Sequence, residues 1–357
     1  MPDRLSYTPV DALSGWPMPE QQKSWLGGTA IETQLRDAYV GGRMHHAWLI
    51  GGPKGIGKAT LAFRAARFIL ANPDPTAATL GSSLNVAPDN RVFRQIAAGA
   101  HPNLLVLRRP WDEQAKRHRS ELTVGEVRRI QSFFGSTAGE KGARICIVDT
   151  ADELNTSAAN ALLKVLEEPP ARGLFFLIAS RPGQLLPTIR SRCRRLDLRP
   201  IPRDAVRAAL AEGEPESLPA EIDLAADQSN GSLRIAIGFL REEAGGTYHA
   251  FTALTSALPE VDFEGVHALA DSVAVRGRDE AYRAFVGIVE DWLTRRLRAE
   301  SEAGSKLPAS VTKAPLASWA TVWEKVRDTT LQAETLNLDR KQVVLQVFMA
   351  LAAATRV

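Results

Sequence analysis

The residues with the clearest chemical potential lie in the segment 47–61, AWLIGGPKGIGKATL. Gly52 and Gly57 enclose four residues, and Lys58 follows directly. This spacing lets successive backbone N–H groups surround a di- or triphosphate while the lysine reaches the outer phosphates. The N-terminus of a helix that begins here adds its positive end. The segment therefore predicts a phosphate-binding loop in which Gly52, Gly55, Gly57 and Lys58 bind a nucleotide.

The position after the lysine bears on the metal. Such a loop normally places a Ser or Thr hydroxyl on Mg²⁺ there, but this chain has Ala59. Thr60 is a candidate nucleotide-binding residue, yet it does not replace that hydroxyl, because one residue along a helix turns a side chain by about 100°. A glycine-rich turn without a ligand is the alternative interpretation. The apolar run before the loop and the helical period after it favour strand, loop and helix.

A second candidate group follows the apolar run 145–148. Asp149 stands at the end of this run, where ligands bind in open α/β sheets, and we expect it to hold Mg²⁺ through water. A hydrolysing enzyme usually places a Glu next to orient the attacking water, but this chain has Thr150. Ser180 ends a further apolar run at the same expected edge. Glu167 lies a full helix away and is interpreted as a solvated charge.

The elements that must position these residues alternate along residues 1–200. Short apolar runs at 47–50, 104–107, 145–148, 174–179 and 196–198 are separated by helical segments. This alternation predicts an α/β fold with a parallel sheet whose first strand leads into the phosphate loop. Residues 1–30 contain proline, glycine and isolated tryptophans, and we expect them to wrap over this sheet unit. The basic stretch 108–120 is interpreted as a solvated loop or as an edge facing nucleic acid or a partner; its acidic residues favour the former.

The composition is that of an ordinary globular protein. The chain has 357 residues, 45% of them hydrophobic and 24% charged, which suffices for two or three domains. A net charge of +3 permits contact with nucleic acid but does not argue for it alone. Cys146 and Cys193 are too few for a disulfide framework or a four-cysteine zinc site. No apolar run approaches a membrane span, and the N-terminus lacks the layout of a secretory signal, so we expect a cytoplasmic protein.

Composition breaks divide the chain into three expected parts. Proline and glycine pairs near residues 200 and 245 separate a nucleotide-binding module (1–200), a small helical lid (201–244) and an all-helical C-terminal domain (245–357). The C-terminal part carries tryptophans at 292, 319 and 323. Core packing is the commoner use of such residues, although large aromatics also anchor interfaces. We therefore regard this part as a candidate assembly domain.

Together these motifs resemble the AAA+ clamp-loader subunits of the bacterial replicative DNA polymerase, over about residues 30–345. The resemblance is carried by GPKGIGK at 52–58, AANALLKVLEEPP at 158–170, LLPTIRSRC at 185–193, GSLR at 231–234 and LNLDRK at 336–341. It implies a RecA-like P-loop AAA+ module, a helical lid and a C-terminal helical collar through which subunits form a hetero-pentameric ring. The implied partners are the gamma/tau and delta subunits of the loader, the sliding clamp, and primed DNA through the assembled complex.

The resemblance also implies roles for single residues. Lys58 matches the phosphate-binding lysine and Asp149 the Mg²⁺-associated acid. Ser180 matches the sensor that reads the γ-phosphate, and Arg234 the sensor arginine of the lid. Arg192 matches the arginine finger that one subunit offers in trans to the ATP of its neighbour.

Two departures from the family pattern decide among the functions that remain. Ala59 and Thr150 favour a non-hydrolysing subunit over the ATP-hydrolysing motor subunit of the same loader, or over another AAA+ ATPase such as a branch-migration motor. The loop glycines and Lys58 still allow ATP or ADP to bind without turnover, while Mg²⁺ binding is left open. Many family members carry a four-cysteine zinc module after the loop helix, but residues 76–101 contain no cysteine, so no zinc is expected.

Overall fold

A computed structural model describes residues 12–77, 83–112, 114, 117–135, 142–275, 279–298, 315–336 and 339–356. The chain divides into two compact units, Met1–Ala236 and Ile237–Val357. Each unit has its own apolar core. None of the described helices is both long and apolar enough to cross a membrane.

The first unit contains a parallel sheet. Its strands are β1 (Ala47–Gly51), β2 (Leu104–Leu107), β5 (Arg144–Val148), β6 (Gly173–Ala179) and β7 (Arg194–Asp197). They lie in the order β2-β5-β6-β1-β7. A separate antiparallel pair consists of β3 (Trp111–Asp112) and β4 (Arg117–His118). The predicted α/β fold with a parallel sheet is confirmed.

The central strands are apolar throughout because the sheet is covered on both faces. Every residue of β1 and β6 is buried, as expected for parallel strands between two helical layers. Gly51 lies opposite Ala179, and Leu107 opposite Val148. The residues that follow β1, β2, β5 and β6 therefore meet at the carboxyl edge of the sheet, where ligands bind in such folds.

The last strand differs from the sequence expectation. The apolar run 196–198 predicts β7 there, but the strand spans Arg194–Asp197, and only Leu196 among its four residues is buried. Arg194 pairs with Trp48, and Leu196 with Ile50. The other three side chains of β7, which forms one edge of the sheet, are exposed, so an apolar run does not mark its bounds.

Helices surround this sheet in the first unit. They are α1 (Thr29–Val40), α2 (Lys58–Ala71), α3 (Arg91–Ala97), α4 (Val124–Gly135), α5 (Thr156–Glu167) and α6 (Pro187–Ser191). A further group consists of α7 (Arg203–Gly213), α8 (Pro219–Gln228) and α9 (Leu233–Leu240). Ion pairs from Arg203 and Arg207 to Asp223 and Asp227 join α7 to α8.

The regular elements described in the second unit are all helices. Its helices are α10 (Glu242–Ser256), α11 (Phe263–Val273), α12 (Asp279–Arg298), α13 (Leu316–Leu336) and α14 (Arg340–Thr355). Trp292 and Trp319 lie in the core, and their ring centroids are 5.4 Å apart. Phe251 contacts Trp292 edge-on. These two tryptophans therefore pack the unit itself, and only Trp323 is partly exposed.

The N-terminal segment follows the expected wrapping path from residue 12 onward. The Trp16 indole N–H donates to Glu214 Oε1 at 2.7 Å, beyond the end of α7. The carbonyls of Gln22 and Lys23 accept hydrogen bonds from Arg67 and Arg64 of α2. This segment thus binds the helix that follows the phosphate loop.

Candidate nucleotide-binding site

The loop after β1 has the backbone of a phosphate cradle. Gly52, Gly55 and Gly57 have φ values of +139°, +78° and +89°, a region that residues with a Cβ rarely adopt. A Cβ on Gly52 would also lie 2.8 Å from the Leu198 carbonyl oxygen. The helix α2 begins at Lys58, directly after the loop, so its N-terminal dipole faces the same space. These residues fit a phosphate group.

Lys58 is held inside this loop. Its ammonium donates hydrogen bonds to the carbonyls of Gly52 at 2.8 Å and Pro53 at 2.6 Å, and to Ser180 Oγ at 3.1 Å. The side chain is buried. Two site residues that the sequence placed on separate strand ends are therefore in direct contact. Thr60 lies in the first turn of α2 and is partly buried.

The start of α9 lies against the phosphate loop. A Cβ on Gly55 would be 2.2 Å from Ser232 Oγ and 2.6 Å from Arg234 Cβ. Gly231 accepts a hydrogen bond from the Ile201 amide at 2.9 Å, which ties this turn to the segment after β7. Arg234 is thereby positioned next to the loop, as the resemblance implies for a sensor arginine.

Asp149 forms an ion pair with an arginine. Its Oδ2 lies 3.3 Å from Arg108 Nε. Arg108 in turn donates to both carboxylate oxygens of Glu20, at 3.1 and 2.9 Å. Because Asp149 already has a cationic partner and Ala59 has no hydroxyl, these residues do not fit a bound Mg²⁺.

The neighbours of Asp149 do not supply a water-orienting acid. Thr150 has φ +62°, and its hydroxyl donates to the Asp149 carbonyl at 2.6 Å. Asp152 accepts hydrogen bonds from the backbone amides of Ser180 and Arg181. The Glu153 carboxylate lies 3.1 Å from Arg109 Nε, and burial raises its pKa above the usual value. Each of these groups is already committed to a local partner.

A tryptophan closes one side of the loop. The Trp25 indole N–H donates to the Gly57 carbonyl at 3.1 Å. A Cβ on Gly57 would lie 2.9 Å from Trp25 Nε1. The N-terminal segment therefore contacts the phosphate loop through Trp25, and through Glu20 it contacts Arg108, the partner of Asp149.

Arg192 lies at the opposite edge of the sheet. It follows α6 directly, two residues before β7 begins beside Trp48. The phosphate loop begins after Gly51, so about 10–13 Å of strand separate the two edges. The Arg192 side chain is 36% exposed; its guanidinium pairs with Glu167 at 2.8 Å and donates to the Thr188 carbonyl at 3.0 Å. Arg192 therefore faces away from the phosphate loop of its own chain.

Sequence patterns missed four of these residues: Glu20, Trp25, Arg108 and Glu167. Arg108 follows the apolar run of β2 as Asp149 follows that of β5, so its place at the sheet edge carried a usable signal. Glu20 and Trp25 lie in a segment without periodicity and carried none. Glu167, interpreted as a solvated charge, is 43% exposed but pairs with Arg192.

The described part of the chain contains two cysteines, and both are free. Within the described ranges, no group of three or more His, Cys, Asp or Glu side chains could hold a metal ion. Burial raises the pKa of Cys193 to about 12 and that of Cys146 further. Neither thiol is therefore a reactive thiolate at neutral pH.

A phosphate loop after β1, an acid after β5, a polar residue on the strand between them and a helical group against the loop define a P-loop module of the AAA+ class. Residues 27–202 match the family model described as DNA polymerase III, delta subunit. Over this stretch, about half of the chain, the sequence is similar to DNA polymerase III delta prime subunits.

Individual relatives give the extent of this similarity. DNA polymerase III subunit delta' of Pseudomonas aeruginosa is 37% identical over 156 residues, 43% of this chain and 44% of the relative. That of Escherichia coli is 32% identical over 205 residues, 57% of this chain and 55% of the relative. The gamma/tau subunit of Mycobacterium tuberculosis is 29% identical over 270 residues, 74% of this chain and 44% of the relative. The chain thus spans about half the length of these curated relatives.

Proposed function

We propose that this chain is a stator subunit of a bacterial clamp loader, which completes the ATP site of a neighbouring subunit with Arg192 and does not hydrolyse ATP itself. The observation that carries the proposal is the placement of Arg192 at the sheet edge opposite its own phosphate loop. A finger there serves only a nucleotide that another subunit binds. The match of residues 27–202 to the family model for the DNA polymerase III delta subunit supports the same role.

The chain's own site supports the non-hydrolysing half of the proposal. Phosphoryl transfer depends on a positioned water and on a metal that neutralises developing charge. Ala59 has no hydroxyl to bind the metal. The Thr150 hydroxyl donates to the backbone carbonyl of Asp149, and the Asp149 carboxylate pairs with Arg108. Lys58 and the loop glycines still fit the phosphates of ATP or ADP, which would bind here without turnover.

The motor subunit of the same loader is the second candidate, because a gamma/tau relative aligns over more of this chain than the delta prime relatives do. It requires the water-orienting acid and the metal ligand that this site lacks. The proposed partners are the gamma/tau and delta subunits, the sliding clamp and primed DNA, reached in a hetero-pentameric ring. The second unit is the proposed collar of that ring.

The test combines assembly with turnover. The full-length chain is mixed with gamma/tau and delta subunits from the same organism, and the complex is isolated by size exclusion. We expect stoichiometric assembly, and we expect the pure chain to hydrolyse ATP far more slowly than about 1 s⁻¹, a typical enzyme turnover. A pure chain that reaches that rate and loses it on Lys58→Ala is a motor, and the stator proposal is then wrong.

A further inference from the structure

Arg108 and Asp149 are brought together by the sheet itself. Arg108 directly follows β2 and Asp149 directly follows β5, and these neighbouring parallel strands align Leu107 with Val148. Both side chains therefore start from the same edge, and Arg108 Nε reaches Asp149 Oδ2 at 3.3 Å. The pair follows from strand register and does not depend on a long loop.

Two further contacts fix the Arg108 guanidinium at this place. Glu20 accepts two hydrogen bonds from it, at 3.1 and 2.9 Å, in the parallel fork geometry that suits a guanidinium and a carboxylate. Arg108 Cζ lies 5.5 Å from the ring centroid of Phe63, which belongs to the helix that follows the phosphate loop. The side chains of Arg108, Glu20 and Asp149 are only 22%, 16% and 14% exposed. The guanidinium is thus largely withdrawn from water and held on several sides.

The charge on Arg108 is permanent. Burial alone would lower the pKa of Arg108, but the hydrogen bonds and charges of Glu20 and Asp149 outweigh it and hold that pKa above the ordinary value. A fixed positive charge therefore stands against the carboxylate that would otherwise face a metal ion. A divalent cation bound there would meet this charge at close range, and the repulsion is strong in a site that is mostly shielded from water.

We propose that Arg108, backed by Glu20, takes the place of the divalent cation at Asp149, so that the phosphate loop binds a nucleoside di- or triphosphate without Mg²⁺. This inference rests on the proposed nucleotide occupancy of the loop. Arg108 neutralises Asp149, and Lys58 supplies the positive charge toward the phosphates. The site then discriminates against the metal complex of the nucleotide, the opposite of what an ATP-hydrolysing P-loop site requires.

The first experiment measures ADP binding to the full-length chain by calorimetry, once with EDTA and once with Mg²⁺ in excess over ADP. We expect the apparent affinity to be equal or weaker with Mg²⁺, because the metal competes with the protein for ADP. In Arg108→Met, which keeps an unbranched apolar side chain but removes the charged guanidinium, Mg²⁺ should tighten binding by about tenfold. Arg119→Met is the matched control, since Arg119 pairs with Asp112 outside the site, and it should behave as wild type.

Tightening of wild-type binding by about tenfold with Mg²⁺ would overturn the proposal, and this comparison decides alone if Arg108→Met does not fold. A second measurement needs no nucleotide. Arg108→Met removes the guanidinium that pairs with Glu20 and Asp149, so its thermal midpoint should fall and recover in part in Mg²⁺, against sodium chloride of equal ionic strength. Wild type and Arg119→Met should show no such recovery.

The binding and unfolding measurements test separately whether the loop binds a nucleotide and whether Arg108 replaces the divalent cation. If ADP binds in neither buffer, the proposed nucleotide occupancy is wrong, and the Mg²⁺ recovery of Arg108→Met alone decides whether Arg108 stands in for a cation. If Mg²⁺ does not raise the thermal midpoint of a folded Arg108→Met beyond the sodium chloride control, the proposal that Arg108 replaces the divalent cation is wrong. This conclusion holds whether or not ADP binds.

Discussion

Arg192 Nη2 lies 2.8 Å from Glu167 Oε1, and this pair joins the turn after α6 to the end of α5. Arg192 also donates to the Thr188 carbonyl, so two contacts orient one guanidinium at the edge of the sheet. A long arginine side chain that must reach across an interface loses less freedom if it is already oriented. Glu167 is therefore expected to position the finger that we propose.

Glu167→Gln removes the ion pair and leaves Arg192 in place. We expect it to lower the clamp- and DNA-stimulated ATP hydrolysis of the reconstituted loader by roughly two- to fivefold, the factor that corresponds to an exposed pair worth about 0.5–1 kcal/mol. Glu168→Gln removes the adjacent charge without touching the Arg192 pair and is the control. Equal rates for the two variants would show that Glu167 does not position Arg192.

Because Gly55 closely approaches α9, we expect Gly55→Ala to destabilise the protein by more than the backbone strain alone would. Gly55→Ala forces a Cβ onto Ser232 and Arg234, at a residue with φ +78°. Gly99→Ala is the matched control, because Gly99 has φ +64° but nothing within 4 Å of its Cβ position. We expect the control to lose about 1–2 kcal/mol of unfolding free energy from the backbone alone. Gly55→Ala should lose more and also weaken ADP binding; equal losses would mean that α9 does not hold the loop.

In the first unit, the sequence predicts the helices and strands better than it predicts the contacts between side chains. Apolar runs locate the central strands because these are buried on both faces, whereas β7 has a single buried residue and its predicted bounds are displaced. The phosphate loop is recognised from the spacing of glycines and lysine, which backbone geometry requires. These features are local in the chain and are therefore legible without the fold.

The contacts that distinguish this site are not local. Glu20 lies 88 residues before Arg108 in the chain, and Arg108 lies 41 residues before Asp149. The strand order, which no single segment specifies, makes Arg108 and Asp149 neighbours, and the path of the N-terminal segment adds Glu20. The tryptophans show the same limit, because a helical stripe gives the face that is buried but does not say whether a core or a partner covers it.

The aromatic cluster of the second unit predicts a loss of stability. Trp319 is fully buried and contacts Trp292, so Trp319→Ala should lower the free energy of unfolding of the isolated chain by about 3–5 kcal/mol. Trp323→Ala, at a partly exposed position, should cost less. Denaturant unfolding measures both. If Trp319→Ala is as stable as Trp323→Ala but fails to assemble, Trp319 is an interface residue instead of a core residue.

His46 predicts a pH dependence of stability. Burial, and secondarily the charge of His45, lower its pKa below the ordinary value, so the folded state disfavours the protonated ring. The stability that this group contributes is present above the unfolded pKa of about 6.5 and is lost as pH falls through the lower folded value. The decrease in the thermal midpoint from pH 7.5 to pH 5.5 should therefore be smaller in His46→Gln than in wild type. The same change in the exposed-histidine control His267→Gln would contradict the assignment.

The central claim, that this chain works through its finger and not through its own nucleotide site, is tested most directly in the reconstituted loader. Clamp- and DNA-stimulated ATP hydrolysis and clamp loading are measured with Arg192→Ala or Lys58→Ala in this subunit, in complexes shown to be fully assembled. We predict that Arg192→Ala lowers turnover at the neighbouring site by roughly 10³- to 10⁵-fold and abolishes clamp loading, and that Arg192→Lys fails nearly as badly for lack of the planar fork. Lys58→Ala should leave both activities near their wild-type values. Full activity with Arg192→Ala, or loss of turnover with Lys58→Ala, would contradict the account.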